Sequence, residues 1–313
     1  MHHDKAILVL GAGELGMAVL RNLVRRVGKA PGGSISVLLR PSTLASTSPD
    51  KRKDIEELRA LGVDIVPGDL AAQSVAALAD IFARFDTVVS CTGFVGGPGV
   101  QMKIARAALD SGVRRYFPWQ FGVDYDVIGK GSAQDLFDEQ LDVRALLRSQ
   151  QKTEWVIVST GMFMSFLFEP TFGVVDMEGK SVHALGSWEN AVTVTTSEDI
   201  GALTSEILLA EPRIVNQVVH VAGDTVTYRR LADALDTLLN LKLHRTEWSV
   251  PALKRELAEE PNDPIRKYRV VFAEGRGVAW DKQRTFNAQR GLDVCNLEDW
   301  VEQNLSVDQR SAI

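Results

Sequence analysis

The stretch Ala6-Ile7-Leu8-Val9-Leu10-Gly11-Ala12-Gly13-Glu14-Leu15-Gly16 constrains the fold more than any other part of the chain. An unbroken apolar run of strand length passes straight into a Gly-x-Gly-x-x-Gly turn. Met17–Val27 then carries Leu20, Leu23 and Val24 at helical spacing. Strand, glycine turn and helix in that order open a βαβ unit, and each glycine has its own task there. Gly11 permits the tight turn, Gly13 lets the backbone approach a diphosphate, and Gly16 lets the helix pack on the strand. The helix N-terminus, with Glu14 and Leu15 in its first turn, offers N–H groups and the positive end of its dipole to an anion. Gly11, Gly13, Glu14, Leu15 and Gly16 are therefore expected to hold a dinucleotide.

The same rhythm continues downstream. Ile35–Leu39, Val63–Val66, Thr87–Ser90, Arg115–Phe117 and Trp155–Ser159 read as strands, separated by helical patterns at Asp54–Leu61, Ser74–Phe85, Val100–Ser111 and Gly131–Ser149. Strands apolar on both faces and alternating with helices require a parallel sheet covered on both sides. The expected fold class is α/β: a Rossmann, doubly wound parallel sheet over residues 1–160. After Gly161 the rhythm changes. Met162–Gly186 is irregular and rich in aromatics, with Phe163, Phe166, Phe168 and Phe172 close together. Val192–Thr195 and Val218–Ala222 read as strands flanking a helix at Asp199–Leu209, so that about 191–224 is expected to rejoin the first domain. Helical patterns at Tyr228–Leu239, Pro251–Glu259 and Leu297–Asn304 complete the expectation: a smaller C-terminal α+β substrate lobe, residues 161–190 and 225–313.

Composition narrows the partners. The 313 residues carry 35 Lys+Arg against 41 Asp+Glu, a net charge of −6. That balance argues against nucleic acid or a membrane surface, both anionic. Cys91 and Cys295 build neither a disulfide framework nor a thiolate zinc cluster, and neither lies in a Cys-x-x-Cys pair. His183, His220 and His244 lack metal-ligand spacing, so no metal is expected; His220, in an apolar strand pattern, reads as a hydrogen-bonded core histidine. Met1–Lys5 lacks a secretion signal, and no window approaches the roughly 18 apolar residues of a membrane helix. A soluble chain in a reduced, cytoplasmic setting is expected.

In doubly wound sheets ligands bind at the carboxyl ends of the strands. Arg40 follows the second strand, where an acidic residue would accept from a ribose 2′-hydroxyl and an arginine accommodates a 2′-phosphate. Its planar fork suits phosphate oxygens, so NADP(H) is expected over NAD(H). Ser42 and Lys51 lie in the loop beyond. For Lys51-Arg52-Lys53 a solvated basic loop is an equal alternative. Asp69 either caps the next helix or touches adenine. Thr92 and Gly93 follow the fourth strand, and Gly96-Gly97-Pro98-Gly99 reads as a mobile loop that could fold over the nicotinamide end.

Further blocks carry a family resemblance: Tyr116-Phe117-Pro118-Trp119-Gln120-Phe121-Gly122-Val123-Asp124, Thr153-Glu154-Trp155, Ser159-Thr160-Gly161-Met162-Phe163, Phe168-Glu169-Pro170, Thr195–Gly201 and Ala222-Gly223-Asp224. With Gly11–Gly16 and Arg40, they make nearly all of 1–305 resemble the NmrA-like, isoflavone-reductase-like branch of the atypical short-chain dehydrogenases. The chain looks most like fungal members of the aromatic-alcohol-reductase kind. The resemblance implies a Rossmann domain, NADP(H) and a small C-terminal substrate domain. Reductive members transfer hydride to activated aromatic substrates, fungal relatives often sit in secondary metabolism, and regulatory members bind the dinucleotide without catalysis.

One departure stands out. Reductive members share a Lys, two residues, an aliphatic and an Arg on the helix after the Phe-Gly motif; here the stretch is Gln140-Leu141-Asp142-Val143-Arg144. Gln140 thus stands at the position of the general-acid Lys, and no Lys occurs between Lys130 and Lys152. A Gln amide hydrogen-bonds but has no titratable proton. The Tyr-x-x-x-Lys dyad of ordinary short-chain dehydrogenases is absent as well. The catalytic candidates are Gln140, Asp124, Tyr125 and Lys130. Capping of a turn is an equal reading for Asp124 and Asp126, and a solvated side chain is the other reading for Lys130. Gln120 joins the cofactor candidates. Phe94, Phe121, Met162, Phe163 and Phe166 are the candidates for walling an apolar pocket; Met162, Phe163 and Phe166 could also be plain core, but their place after the sixth strand favours the pocket.

Two functions follow. The first is an NADP(H)-dependent oxidoreductase acting on a planar aromatic or heteroaromatic molecule, such as an iminium that accepts hydride unaided. A variant has oxidation and reduction by one bound cofactor bracketing a ring-forming step. The second is a sensor of the NADP+/NADPH ratio without catalysis.

Overall fold

The computed structural model describes residues 6–27, 33–94 and 96–305. The stretch Met1–Lys5, read above for a secretion signal, lies outside the described residues, as does the end of the expected substrate lobe beyond 305. The chain divides into two compact units.

The described residues of Met1–Phe121, Glu139–Val158 and Ile200–Val219 form the first. Its strands β1 (Ala6–Leu10), β2 (Ser34–Leu39), β3 (Asp64–Pro67), β4 (Thr87–Ser90), β5 (Arg115–Phe117) and β6 (Glu154–Ser159) pair in parallel. Among the described residues the sheet has seven strands, in the order β3-β2-β1-β4-β5-β6 and then Gln217–His220. The order reverses between β1 and β4, which is where a crevice opens at the carboxyl edge of a doubly wound sheet.

In chain order the helices are α1 (Glu14–Val27), α2 (Pro41–Leu44), α3 (Pro49–Ala60), α4 (Val75–Phe82), α5 (Val100–Ser111), α6 (Tyr125–Ile128), α7 (Leu136–Arg148) and α8 (Ser197–Leu209), of which α6 belongs to the second unit. On one sheet face Leu8, Leu10, Val88, Tyr116 and Ile157 pack against Leu78 and Phe82 of α4, Ile104 and Ala108 of α5, and Val143 and Leu147 of α7. The apolar strands therefore bury both faces because helices bring apolar stripes to them. Gly201 of α8 lies so close to α1 that a Cβ there would fall 2.5 Å from the Ala18 carbonyl carbon. Fully buried Arg115 donates to the carbonyls of Leu208 and Ile214, both at 2.7 Å, fastening this returning segment to β5.

The second unit comprises the described residues of Gly122–Asp138, Ser159–Asp199 and His220–Ile313. It holds two small sheets. In one, Ala191–Thr195 pairs with Asp224–Thr227 antiparallel and with Met162–Phe163 in parallel. In the other, Ser181–Leu185 pairs with His244–Trp248 in parallel and with Val175–Asp176 antiparallel. Helices Tyr228–Leu239, Val250–Glu259, Pro264–Glu274 and Leu297–Asn304 belong to it.

The units divide the chain elsewhere than the sequence reading does. Segments 191–199 and 220–224, expected to rejoin the sheet domain, lie in the second unit, because Thr193 bonds to Val278 through its N–H (3.0 Å) and to Thr225 through its hydroxyl (2.9 Å). Segment 122–138 goes with the second unit too, where the Asp124 N–H donates to Gly277 O at 2.8 Å and Lys267 Nζ meets Asp135 at 2.8 Å. The helix expected from Gly131 begins only at Leu136. Gly129 and Gly131 have φ of 80° and 75°, left-handed conformations that a right-handed helix cannot absorb.

Candidate functional site

β1 delivers Gly11 to the sheet edge at φ 89°, its N–H bonded to Leu38 O at 3.2 Å. A Cβ on Gly16 would sit 2.9 Å from the Gly11 carbonyl carbon and closer still to its oxygen, so α1 can follow the turn only without one. Gly13 is the opposite case: a Cβ there would meet nothing within 4 Å. The space over Gly13 is open at the point where a diphosphate would approach the backbone.

That space is part of a cleft of about 330 Å³. It is lined by Gly11, Ala12 and Gly13 after β1, by Leu38 and Leu39 of β2 with Arg40, Thr43 and Lys51 beyond it, by Asp69, Leu70 and Ala71 after β3, and by Cys91, Thr92, Gly96 and Val100 after β4. Of the residues expected at a cofactor, Gly11, Gly13, Arg40, Lys51, Asp69 and Thr92 converge here. Glu14, Leu15, Gly16, Ser42, Gly93 and Gln120 do not line the cleft. Thr43 stands in place of its neighbour Ser42, one position along the short α2, whose N-cap is the exposed Arg40. Leu70, next to Asp69 after β3, lies at a strand end where ligands are expected, whereas the apolar walls Leu38 and Val100 are not among the residues expected at a cofactor. Their signal was position alone, beside the carboxyl ends of strands or at the start of a following helix.

Asp69 is a turn-former that also faces the cleft. Its Oδ1 accepts from Ala71 N at 2.9 Å and Ala72 N at 3.0 Å. The N–H groups of Ala72 and Ala71, with a smaller contribution from the Arg40 guanidinium, hold its carboxyl below the usual range. Burial raises the Cys91 thiol, so it contributes wall rather than reactivity. Gly93 has φ 60° and its carbonyl accepts from Gln101 Nε2. The 96–99 segment is a turn in which Gly97 N bonds Phe94 O at 2.9 Å and Gly99, at φ 84°, is the N-cap of α5.

On α7, Gln140 is entirely buried, and neither its Oε1 nor its Nε2 has a hydrogen-bond partner. A buried amide without partners is rare and costly. Its backbone carbonyl accepts from Gln120 Nε2 at 2.9 Å, while Gln120 Oε1 accepts from Arg144 Nε at 2.7 Å. Gln120 is thus a fully buried clamp that ties the segment after β5 to α7 at two points. Next to Gln140, Glu139 accepts from Gly99 N at 2.8 Å and Met102 N at 2.9 Å, one bond to each carboxylate oxygen. No local pattern announces this long-range cap.

In the second unit Asp124 is the N-cap of α6, its Oδ1 accepting from Asp126 N (3.1 Å) and Val127 N (3.4 Å). Its Oδ2 lies 3.1 Å from His220 Nε2, and the His220 ring meets Trp280 edge-on at 4.9 Å. His220 is therefore hydrogen-bonded, but it is only part-buried rather than in the core. Tyr125 is buried against Phe137 at 5.0 Å, and Lys130 is exposed. Phe166, half-buried, meets Phe172 at 4.7 Å and Tyr268 at 6.0 Å; Met162 is buried and Phe163 half-buried. Phe121, buried against Trp119 at 5.7 Å, and half-buried Phe94 belong to the first unit. Among the described residues, no three His, Cys, Asp or Glu side chains gather to hold a metal, and no helix is long and apolar enough to cross a membrane.

The NmrA-like family profile matches residues 3–289. The NmrA-like family domain-containing oxidoreductase of Gibberella moniliformis is similar to this chain, 48% identical over 297 residues, with 95% of this chain and 97% of that protein covered. Among solved structures, isoflavone reductase is similar with a TM-score of 0.78 and 18% identity, over 96% of this chain and 99% of that one. AtPrR2 with NADP+ and (+)pinoresinol is similar with a TM-score of 0.75 and 18% identity, over 97% and 99%.

Proposed function

Because the chain belongs to the NmrA-like family, we propose that it is an NADP(H)-dependent oxidoreductase acting on a planar aromatic or heteroaromatic small molecule. The observation that carries this reading is the cleft itself, which holds both open backbone at Gly13 and Arg40. Gly11–Gly16 binds the diphosphate, the exposed fork of Arg40 takes the 2′-phosphate with Lys51 adding charge, and Leu38 and Leu70 supply flat apolar surface. The name of the Gibberella relative and the NADP+ in AtPrR2 support the choice of chemistry and cofactor. Bound there, the reduced nicotinamide supplies a hydride.

The chain's own side chains orient the substrate but offer no lysine acid on α7. Gln140 can donate and accept a hydrogen bond and cannot give a proton. A substrate such as an iminium, which takes up hydride without a proton, fits that limitation. A ring-forming step bracketed by oxidation and reduction fits it equally, since no net proton or hydride is then consumed.

Calorimetry with NADP+, NADPH, NAD+ and NADH tests the cofactor: both phosphorylated forms should bind and the others weakly. Nicotinamide absorbance across a panel of aromatic carbonyl, imine and iminium compounds tests the reaction. Absence of NADP+ and NADPH binding overturns the reading. Binding that separates the two redox states, with no turnover on any compound, leaves the sensor role instead, which the lack of a titratable proton on Gln140 favours.

A further inference from the structure

Val100 at the start of α5 lines the cleft, with Gly96 of the preceding turn, yet the helix's first turn is closed by a carboxylate from another helix. Gly99 at the N-cap has no side chain to cap with. Glu139 fills that role, its two oxygens taking the Gly99 and Met102 N–H groups at 2.8 and 2.9 Å. The positive end of a helix dipole, about half a unit charge, therefore carries a full negative charge beside it.

The charges along the cleft then run in sequence. Arg40 and Lys51 follow β2, with the Asp69 carboxylate after β3 beside Arg40, the glycine turn follows β1, and the Glu139 carboxylate caps the helix that follows β4. In a doubly wound sheet a dinucleotide crosses the switch point, its adenosine end over β2 and its other end beyond β4. The nicotinamide ring is cationic when oxidised and neutral when reduced. A negative charge on that side favours the oxidised ring, whereas a bare helix N-terminus would disfavour it.

We propose that Glu139 sets the redox preference of the bound cofactor, tightening NADP+ relative to NADPH. This rests on the reading of the cleft as an NADP(H) site. By linkage, tighter binding of the oxidised form makes bound NADPH the stronger hydride donor. That gain operates without any proton donor on α7, where Gln140 offers none.

Separate titrations of NADP+ and NADPH into the parent, Glu139→Gln and Glu139→Asp test it. Glu139→Gln keeps an acceptor but loses the charge, so the ratio Kd(NADP+)/Kd(NADPH) should rise about three- to tenfold, the size of a helix-terminus charge effect in a partly screened site. Glu139→Asp keeps the charge on a shorter arm, so both affinities fall together and the ratio stays within about twofold of the parent. If Glu139→Gln fails to fold, salt added to the parent decides instead: screening the carboxylate should raise the ratio, and a ratio indifferent to salt overturns the proposal. Equal losses for both cofactor forms in Glu139→Gln would show a mechanical brace, and a ratio that shifts in Glu139→Asp as far as in Glu139→Gln would show that the charge is not what sets it; either overturns the proposal while the NADP(H) reading stands. A parent that binds neither form overturns both.

Discussion

Gly16 packs on Gly11 so tightly that a Cβ on Gly16 would lie 2.9 Å from the Gly11 carbonyl carbon, while a Cβ on Gly13 would touch nothing within 4 Å. Two glycines of one motif thus answer to different demands, one from the fold and one from the ligand. Gly16→Ala should lower unfolding stability by about 1–3 kcal/mol through overpacking against backbone. Gly13→Ala should leave stability within about 0.5 kcal/mol of the parent, as a substitution in open space does. It should nevertheless weaken NADPH binding, because the methyl occupies the diphosphate's approach. Denaturant midpoints and calorimetry on the two variants read both effects, and a Gly13→Ala protein that binds NADPH like the parent removes the diphosphate from this turn.

Arg40 lines the cleft, is exposed, and is the N-cap of α2, where it makes no side-chain cap bond. Its guanidinium is therefore not needed to end the helix. Arg40→Ala should raise the Kd for NADPH about ten- to a hundredfold, as expected for losing charge-assisted bonds to a phosphate, and leave NADH affinity nearly unchanged. Added salt should narrow the gap in the parent, since the group is solvent-facing. If NADPH and NADH lose affinity equally, Arg40 does not read the 2′-phosphate.

The parts of this molecule that were legible in its sequence are those coded by neighbouring residues. β1, the glycine turn and α1 follow from one apolar run and three glycines, and Tyr228–Leu239 and Leu297–Asn304 fall where the apolar spacing puts them. The Asp263-Pro264 start of the Pro264–Glu274 helix was equally local, an N-cap followed by Pro, but it went unread. What stayed hidden is contact between residues distant in the chain. Glu139 caps α5, Gln120 clamps α7, and Asp124 meets His220, none of it by any spacing rule. The division into units was hidden for the same reason, since Thr193 finds its partners in Val278 and Thr225.

The Ala222-Gly223-Asp224 motif has a structural task that pH exposes. Burial alone would raise the Asp224 carboxyl, but hydrogen bonds from Arg230 at 3.0 and 2.9 Å, with help from the Leu297 N–H, hold it below its ordinary value. The folded pKa lies under the unfolded one, so the stabilisation is present above about pH 4 and is lost as pH falls through the folded value. Asp224→Asn should therefore be less stable than the parent near neutrality, with the gap closing in acid as the parent's carboxylate takes up its proton. Urea midpoints across that range check the sign, and a gap that widens in acid would contradict it.

Gln140 offers the most direct separation of function from stability, because its amide is fully buried with both polar atoms unbonded. An amide in that state costs about 1–3 kcal/mol, and a methionine of nearly the same length removes the cost while filling the volume. Gln140→Met should consequently raise the denaturant midpoint without changing the slope. If the amide positions substrate, turnover should fall at the same time, a movement opposite to that of stability and typical of a residue kept for function. Gln140→Lys tests the family's usual residue in the same place. Burial disfavours the ammonium, so the folded lysine titrates below its unfolded value of about 10.4, and stability is lost as pH falls through that window. At neutral pH the Lys variant should be less stable than the Met variant, and raising the pH should bring them together. A Met variant with lower stability and unaltered turnover would mean that the amide is satisfied in solution and idle in the reaction.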